Sequence, residues 1–338
     1  MRDRWTQRPK DSTWGDWGPD DQLGRLNLLT PERRIMAVRE VIDGLTFCLS
    51  LPLNLPGGNE VNPKRREPVF GPVFNLGHHY YNFDWEVHKE GLMDITSDEY
   101  VILYSQYSTQ WDSLAHVGCK YDIYGDGNLV SVYYNGYKAG KDIGGSEGSL
   151  EIGARALGIE NMAYAGVQGR GVLIDLYRHF GSNRTVVNFG MLMEVLQEDN
   201  ISIEEGDMIL FHTGWDDMIL SMNGKPDAIK LHQSCAVLDG FDQSLLDWIQ
   251  TSGISVIATD NMAVEDSQTH GYAEGGDSRL PLHRQCLFRL GVHLGELWFL
   301  SELASALFKR GRSRFLLTAP PLRLPGAVGS PVTPIATI

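Results

Sequence analysis

The chain has 338 residues, of which 42% are hydrophobic, and this is enough apolar material to build a sizeable folded core. Its formal net charge of −14 disfavours both nucleic acid and anionic lipid as partners, because each would be repelled. No stretch of about 18 residues is free of charged and polar groups, so a membrane-spanning helix is not expected.

The four cysteines form no Cys-x-x-Cys pair, which disfavours both a zinc–thiolate cluster and a thioredoxin-like motif. They are Cys48, Cys119, Cys235 and Cys286. Their scatter, together with an N-terminus that lacks the apolar stretch of a signal peptide, predicts a cytoplasmic protein with reduced thiols.

The N-terminal residues 1–20 are rich in Trp, Asp and Pro and are predicted to form an arm. Such an arm has to cover its tryptophans against its own body or against a partner subunit. Residues 21–338 are predicted to form a single domain, because no linker divides them. A helix is expected to begin at Pro31, with Thr30 as its N-cap.

Apolar runs predict strands, and amphipathic spacing predicts helices between them. The predicted strands are 45–55, 100–104, 171–176, 207–212 and 254–259, and the predicted helices are 151–157, 190–199, 239–251 and 301–309. The stretch 56–78 predicts a long loop of the kind that forms lids or subunit contacts. The proline-rich stretch 319–335 is expected to be extended. Without strict β-α-β alternation, these elements predict a mixed α/β fold around one core.

The densest polar cluster, residues 105–116, follows the predicted strand 100–104, and catalytic groups are commonly displayed at such a position. Gln110 and Asp112 are two residues apart, so on an extended backbone one metal ion can take an oxygen from each. His116 is close enough to act as a base or as a further ligand. The residues alone leave open a second interpretation, in which the cluster is a buried hydrogen-bonded network.

This cluster resembles the signature of the cyclase-like metal-dependent hydrolases, the family of bacterial kynurenine formamidase and isatin hydrolase. The family pattern is His-x-Gly-Thr-His-x-Asp-x-Pro-x-His, and the chain has Gln-Tyr-Ser-Thr-Gln-Trp-Asp-Ser-Leu-Ala-His at residues 106–116. Thr109, Asp112 and His116 match the pattern. Glutamine stands at both histidine positions, Gln106 and Gln110.

Two downstream segments resemble those that contribute a further histidine and glutamate in this family. They are Pro281-Leu-His283 and Gly291-Val-His-Leu-Gly-Glu296. Other stretches resemble a subgroup that has Thr-Gln-Trp-Asp in place of Thr-His-x-Asp, so the resemblance covers most of the chain.

The resemblance implies a cyclase-like mixed α/β fold, of the swivelling β/β/α type, in which a barrel-like sheet is flanked by helices. It implies a homodimer or homotetramer, with the N-terminal arm and the proline-rich C-terminus at the subunit contacts. It also implies one divalent metal ion, zinc or manganese. The expected ligands are Gln110, Asp112, His283 and Glu296.

The implied reaction is hydrolysis of a small cyclic or aryl amide, formamide or lactone. A metal-activated water is the nucleophile, Asp112 and His116 are the catalytic residues, and His116 is the general base. The expected substrate pocket consists of Gln106, Trp111, Tyr134, Asn135, His212 and Trp215. His212 has a second interpretation, as a buried histidine that the backbone satisfies.

Two other functions stay open on the sequence. If the glutamines have destroyed the metal site, the chain is a non-catalytic small-molecule-binding protein. If His116 abstracts a carbon-bound proton, the chain is a metal-assisted lyase or cyclase. If the segment around Glu296 is helical, His293 lies on the same helix face as Glu296 and can replace a missing imidazole. The basic run at residues 64–66 is interpreted as a solvated face.

Overall fold

The computed structural model of the chain describes residues 4–145, 151–266 and 278–338. The strands are β1 (Thr46–Cys48), β2 (Val69–Pro72), β3 (Phe74–Asn75), β4 (His78–His79), β5 (Phe83–Asp84), β6 (Ile95–Thr96), β7 (Glu99–Ile102), β8 (Gln110–Asp112), β9 (Cys119–Tyr121), β10 (Val130–Val132), β11 (Ile143–Gly144), β12 (Gly153–Ala154), β13 (Gln168–Asp175), β14 (Thr185–Val187), β15 (Met208–His212), β16 (Ala236–Leu238), β17 (Val256–Thr259), β18 (His293–Glu296), β19 (Arg314–Thr318), β20 (Gly329–Pro331) and β21 (Ile335–Thr337). The helices are α1 (Pro31–Val38), α2 (Ile159–Ala165), α3 (Leu176–Phe180), α4 (Phe189–Glu198), α5 (Trp215–Ser221), α6 (Ala228–His232), α7 (Gln243–Thr251), α8 (Pro281–His283) and α9 (Ser301–Phe308). A π-helical stretch, Arg284–Leu290, continues directly from α8.

Among the described residues, nine strands form one central sheet in the order β1-β21-β19-β13-β15-β17-β18-β8-β20. The middle strands β13, β15, β17 and β18 are parallel, and β19 and β8 flank them in antiparallel orientation. Helices lie between the parallel strands in sequence because a parallel connection has to return to the same end of the sheet. The sheet is large and curled, with helices around it, which confirms the predicted mixed α/β class.

Alternation along the strands sends side chains into two separate cores. On β13, Val172 and Ile174 join one core, and Leu173 joins the other. Side chains of α4 and α7 complete the first core, and side chains of α2 and α9 complete the second. Strands covered on both faces are apolar along their whole length. This is why apolar runs correctly predicted β13, β15 and β17.

Three of the predicted strands and helices differ in the structure. Of the predicted strand 45–55, only Thr46–Cys48 forms a strand, β1. Residues 151–157 contain β12 rather than a helix, and Gly153 has a φ of 132°, which no helix accommodates. The predicted strand 100–104 exists as β7, but it pairs with β2 outside the central sheet. The other helix predictions are confirmed as α4, α7 and α9, and α1 has the predicted cap, in which the Thr30 hydroxyl accepts from Arg33 N.

Residues 69–102, which we call the hairpin arm, contain the three ribbons β2–β7, β3–β4 and β5–β6. Part of the predicted loop 56–78 therefore forms strands. No side chain of the arm belongs to the hydrophobic cores of the described body. Instead, Tyr80, Phe83 and Trp85 contact one another with ring centroids 5.0–5.8 Å apart.

The N-terminal segment packs on the body of its own chain; residues 1–3 lie outside the described residues. Trp14 is fully buried, and its indole nitrogen donates to the carbonyl of Phe288 at 2.7 Å. Asn135 accepts from Gly15 N at 3.1 Å and donates to the Gly18 carbonyl at 3.2 Å. The segment thus covers its tryptophans against its own chain.

The C-terminal stretch is extended, as predicted, because β20 and β21 both join the central sheet. All four cysteines are free thiols, and Cys235 and Cys286 are buried. In the described parts of the chain, no helix combines the length and the apolar character that crossing a lipid bilayer requires.

Candidate metal centre

Two antiparallel strands, β8 and β18, place the predicted site residues of distant segments side by side. Asp112 is paired with Leu294, and Gln110 is paired with Glu296. Residues that are directly opposite in a sheet project from the same face. The register therefore brings Gln110, Asp112 and Glu296 together on one face.

Asp112, His283 and Glu296 form a buried cluster whose candidate ligand atoms all lie within 4.8 Å of one another. His283 Nε2 is 3.3 Å from Glu296 Oε1 and 4.0 Å from Asp112 Oδ2. The three side chains are at most 6% exposed. Two carboxylates and one imidazole at these separations are a donor set that suits a divalent cation.

Glu265 orients His283 and was not predicted from the sequence. Its Oε1 accepts from both the backbone nitrogen and Nδ1 of His283, each at 2.8 Å, and its Oε2 accepts from Leu282 N at 2.9 Å. Because Nδ1 is engaged, Nε2 is the ring nitrogen that faces the cluster. Burial opposes protonation of His283, but Glu265 and Glu296 raise its pKa to about 10.

One carboxylate oxygen of the cluster lacks a hydrogen-bond partner in the described structure. Asp112 Oδ2 is buried without a hydrogen bond, whereas Oδ1 accepts from Gln106 Nε2. Burial raises the pKa of Asp112, and the charge of Glu296 adds to this effect. An unpartnered buried carboxylate oxygen is costly unless a cation or a proton satisfies it. The residues therefore fit a bound metal ion.

His116 and Gln106 lie at the solvent side of this cluster. His116 Nε2 is 3.9 Å from Asp112 Oδ2, and its side chain is 25% exposed. Gln106 Nε2 is almost equally close to both ring nitrogens, at 3.2 Å and 3.4 Å, so it selects neither tautomer. His116 is thus the histidine of the site that solvent and a ligand can reach.

Gln110 presents its amide nitrogen to the cluster, rather than the oxygen that the sequence prediction required. Its Nε2 donates to Glu296 Oε2 at 3.1 Å, and its Oε1 accepts from Arg65 Nη1 at 3.4 Å. An amide nitrogen donates hydrogen bonds and is not a metal ligand. In this orientation of the amide, the candidate ligands that face one another are Asp112, His283 and Glu296, and ligation by Gln110 stays a prediction.

Arg65 reaches this site from the run that the sequence analysis interpreted as a solvated face. Its Nη1 also donates to the backbone carbonyl of Gln106. Burial opposes ionisation of Glu296, but the hydrogen bond from His283 and the charges of His283 and Arg65 keep its pKa below the usual value. Arg65 therefore supplies a permanent positive charge at the site.

Two tryptophans expected in the substrate pocket belong to the hydrophobic core instead. Trp111 lies between two site residues on β8, so its side chain projects to the opposite face of the strand. There it packs against Trp298, with the ring centroids 4.9 Å apart. Trp215 is 3% exposed, and its indole nitrogen donates to the carbonyl of Leu231 at 2.8 Å. Neither ring has a face left for a substrate.

Tyr134 and Asn135 likewise do not line the metal centre, because they bind the N-terminal segment. The Tyr134 hydroxyl is 3.2 Å from Asp21 Oδ2 and donates to the carbonyl of Thr13 at 3.3 Å. Asn135 adopts a φ of 55° and donates to the carbonyls of that segment, as described above. The sequence marked both residues as important without revealing this structural role.

A second acidic cluster, His212 with Asp216 and Asp260, resembles the first in composition. Its carboxylates are saturated, however. Asp260 accepts from three successive backbone amides beginning at Thr213, and Asp216 accepts from Leu300 N and Ser301 N. This cluster therefore caps helices rather than binding a metal.

Two further histidines can be assigned from their contacts. Both ring nitrogens of His212 are hydrogen-bonded: Nδ1 is 2.7 Å from Asp175 Oδ1, and Nε2 is 3.1 Å from Ser301 Oγ. Side chains rather than the backbone therefore satisfy this histidine. His293 lies on a strand three residues before Glu296, and therefore on the opposite face. It cannot replace the missing imidazoles, and burial lowers its pKa to about 3.

The chain is similar to a known protein family over most of its length. A family model described as "Putative cyclase" matches residues 48–266. A solved structure described as a novel cyclase is 31% identical, covers 97% of both chains and has a TM-score of 0.76. The comparison with curated proteins gave no match.

Structures of isatin hydrolases are also similar. Isatin hydrolase A from Labrenzia aggregata, bound to benzyl benzoate, has a TM-score of 0.55 and 11% identity over 86% of this chain and 93% of that one. Isatin hydrolase A from Ralstonia solanacearum has a TM-score of 0.52 and 12% identity over 86% and 91% of the two chains. At such identities the likeness extends to the fold alone.

Proposed function

The chain belongs to the cyclase family and has its fold, and on this premise we propose that it is a metal-dependent hydrolase. Its substrate is a small cyclic or aryl amide, formamide or lactone. The observation that carries the proposal is the unpartnered oxygen of Asp112, buried beside His283 Nε2 and Glu296 Oε1. The fold neighbours named isatin hydrolase are consistent with this class of substrate.

Asp112, His283 and Glu296 would hold one divalent ion, zinc or manganese. Imidazole favours zinc, and a majority of carboxylate ligands favours manganese. When bound, such an ion supplies polarisation of a carbonyl group and acidification of water. Glu265 keeps Nε2 of His283 pointed at the ligand position, and Gln110 holds the second oxygen of Glu296.

His116 is the proposed general base. It is the partly exposed histidine of the site and lies beside Asp112. No strong hydrogen bond occupies either of its ring nitrogens. It can therefore take a proton from water and return it to the leaving nitrogen or oxygen. Gln106 fixes the orientation of Asp112 through a hydrogen bond to Oδ1.

Arg65 is proposed to bind the polar end of the substrate. Only Nη1 of its guanidinium has hydrogen-bond partners among the described residues, which leaves Nε and Nη2 as donors. Neighbouring side chains Tyr107, Met262 and Leu297 line a small cavity beside it. Arg65 can therefore donate hydrogen bonds to a carbonyl or carboxylate oxygen of a substrate bound at the cluster.

The decisive experiment measures metal content and turnover together. Wild type, Asp112→Asn and Asp217→Asn are loaded with zinc or manganese, dialysed, and examined by elemental analysis. Each is then tested with formanilide, isatin and an aryl lactone. We expect about one metal per chain in wild type, and loss of both metal and turnover in Asp112→Asn, because a ligand is removed.

Asp217→Asn is the matched control. Asp217 is exposed on α5, so this variant makes the same chemical change away from the site. It should behave as wild type does. Metal-free protein that keeps full turnover would contradict the proposal. Turnover in water enriched in heavy oxygen separates hydrolysis from a lyase or cyclase reaction, because only hydrolysis puts solvent oxygen into the product.

A further inference from the structure

An open cavity of about 310 Å³ lies among the N-terminal segment, β9, α7 and the π-helical stretch, and we call it the basic cavity. Four basic side chains line it, and none of the described acidic side chains does. The four are Lys10, Lys120, Arg284 and Arg289. Asp112, His283 and Glu296 are not among its lining residues, so the basic cavity is separate from the candidate metal centre.

The basic cavity concentrates positive charge in a chain whose net charge is −14. Like charges repel at short range, so such a group favours an anion as its ligand. Burial lowers the pKa of the Arg289 guanidinium, and the charge of Arg284 lowers it further. Asp11 and Asp247 act in the opposite direction, but neither carboxylate lines the cavity. The cavity therefore keeps an excess of positive charge that a bound anion can offset.

The π-helical stretch Arg284–Leu290 is what brings the two arginines to the same cavity. In an α-helix, residues three or four apart share a face, and residues five apart do not. A π-helix closes its hydrogen bonds between residues five apart, so Arg284 and Arg289 project to one side together with Phe288. Such stretches are rare and are frequently found at functional sites. The backbone thus indicates a site here independently of the charge.

Arg289 is held in position by two hydrogen bonds within the chain. Its Nη1 donates to Oε1 of the buried Gln285 at 2.6 Å, and its Nη2 donates to the backbone carbonyl of Lys10. A guanidinium that is already ordered loses little conformational freedom when it binds an anion. The side chains of Lys10 and Lys120 are exposed, so they extend the positive charge from the cavity to the solvent.

Apolar side chains form other walls of the basic cavity. Leu246 and Phe288 are buried, and the ring centroid of Tyr121 is 6.4 Å from that of Phe288. At about 310 Å³, the cavity is at the small end of the range for ligand sites, which runs from about 300 to 1,000 Å³. It therefore suits a small molecule with one ring rather than a macromolecule.

We propose that the basic cavity binds a small aryl carboxylate or aryl phosphate. Arg284 and Arg289 hold the anionic group, because a guanidinium offers paired donors that match either oxyanion. The ring of the ligand lies against Phe288 and Leu246. Occupancy also orders the helical stretch that continues directly from His283. The cavity is separate from the metal centre, so the proposal does not rest on the proposed hydrolase function.

The test is isothermal titration calorimetry of the full chain with benzoate, phenyl phosphate, inorganic phosphate and neutral benzamide. We expect benzoate or phenyl phosphate, or both, to bind once per chain, and the result identifies the oxyanion. Inorganic phosphate and benzamide should bind at least 10-fold more weakly, because the first lacks the ring and the second lacks the charge. The double variant Lys120→Gln, Arg289→Gln should weaken binding of the aryl anion at least 10-fold.

The matched control is Arg39→Gln, Lys225→Gln, because both residues are exposed and neither lines the cavity. It should bind the aryl anion as wild type does, and so should Arg65→Gln, which removes the cation of the metal centre. Loss of binding in Arg65→Gln but not in the cavity variant would overturn the proposal. Absence of binding to wild type, or equal affinity for inorganic phosphate, would do the same.

If the cavity variant does not fold, hydrogen exchange of wild type decides the matter. Phenyl phosphate or benzoate that slows exchange at residues 284–290 supports the proposal. Exchange at these residues that neither anion changes refutes it. None of these readouts requires catalytic activity, so failure of this proposal and failure of the hydrolase proposal can be told apart.

Discussion

Glu265 shows how a single buried carboxylate controls a neighbouring imidazole. It engages the backbone nitrogen and Nδ1 of His283, so that the histidine has one available nitrogen and one ring orientation. Partners of this kind determine metal affinity although they do not touch the metal. Glu265 is 1% exposed and belongs to no motif recognised in the sequence.

Glu265→Gln should weaken metal binding about 10- to 100-fold, because the amide is a poorer acceptor for Nδ1–H and no longer carries charge. Competition with a chromophoric chelator at fixed pH measures the dissociation constant. Glu302→Gln, the same change in the first turn of α9, should leave that constant unaltered. Equal affinities in Glu265→Gln and wild type would show that Glu265 has no orienting role.

His212 is a second residue whose environment makes a measurable prediction. Burial alone would lower its pKa, but the hydrogen bond that His212 donates to Asp175 and the charges of Asp260, Asp175 and Asp216 raise it to about 9. The folded state thus holds a proton that the unfolded state releases near 6.5. The resulting stabilisation is complete below pH 6.5 and is lost as the pH rises through 9.

Wild type should therefore lose roughly 3 kcal/mol of unfolding free energy from this group between pH 6.5 and pH 9.5. Urea unfolding across this range measures it. In Asp175→Asn the unfolding free energy should depend clearly less on pH, because the main group that raises the pKa of His212 is removed. Asparagine still caps α3 in place of Asp175, so the comparison isolates the charge. Parallel pH profiles for the two proteins would contradict the assignment.

At the scale of elements, the two acidic clusters differ in what surrounds them. Asp260 and Asp216 lie beside the N-termini of α5 and α9, where the first backbone amides have no acceptor within the helix. Asp112 and Glu296 lie on strands whose amides are already paired with neighbouring strands. The strand cluster consequently keeps an oxygen free for a ligand, while the helix cluster does not.

Asp260→Asn should destabilise the fold by about 3 kcal/mol, because one of the two side-chain oxygens becomes a donor that faces backbone amides. Asp227→Asn provides the control. Asp227 caps α6 through one bond to Lys230 N, and asparagine caps equally well, so almost no change is expected. Thermal unfolding compares the two, and metal affinity should be unaltered in both.

At the scale of the whole molecule, the N-terminal segment is a structural part of the body. Trp14 packs on Phe288 with ring centroids 5.1 Å apart, in the π-helical stretch that follows His283. From the sequence, this segment was predicted to lie at a subunit contact. The contacts of Trp14 and Asn135 hold it to its own chain.

Trp14→Ala should lower the unfolding free energy by about 3–5 kcal/mol, as for other large-to-small changes in a core. Trp17→Ala, in the same segment but partly exposed, should cost clearly less. Chemical denaturation measures both. A Trp14→Ala variant with unchanged stability but altered sedimentation would instead show that the segment binds a partner subunit.

The sequence by itself determined the family, the mixed α/β class and the buried strands of the sheet. It could do so because apolar periodicity and short motifs are local properties that folding preserves. The same motifs singled out Asp112, His283 and Glu296, which the structure brings into one buried cluster, and their role as metal ligands stays a prediction. The helix at 151–157 was wrong because one glycine backbone angle outweighs local composition.

Only the tertiary structure decided which neighbours those residues have. Side chains distant in sequence, such as Arg65 and Glu265, reach the cluster through loops whose paths no local pattern encodes. Strand alternation places Trp111 in the hydrophobic core, and the amide of Gln110 presents its nitrogen to Glu296. Residue type and spacing specify which groups are available, but the packing of strands and loops determines which of them meet, and which atom each one presents.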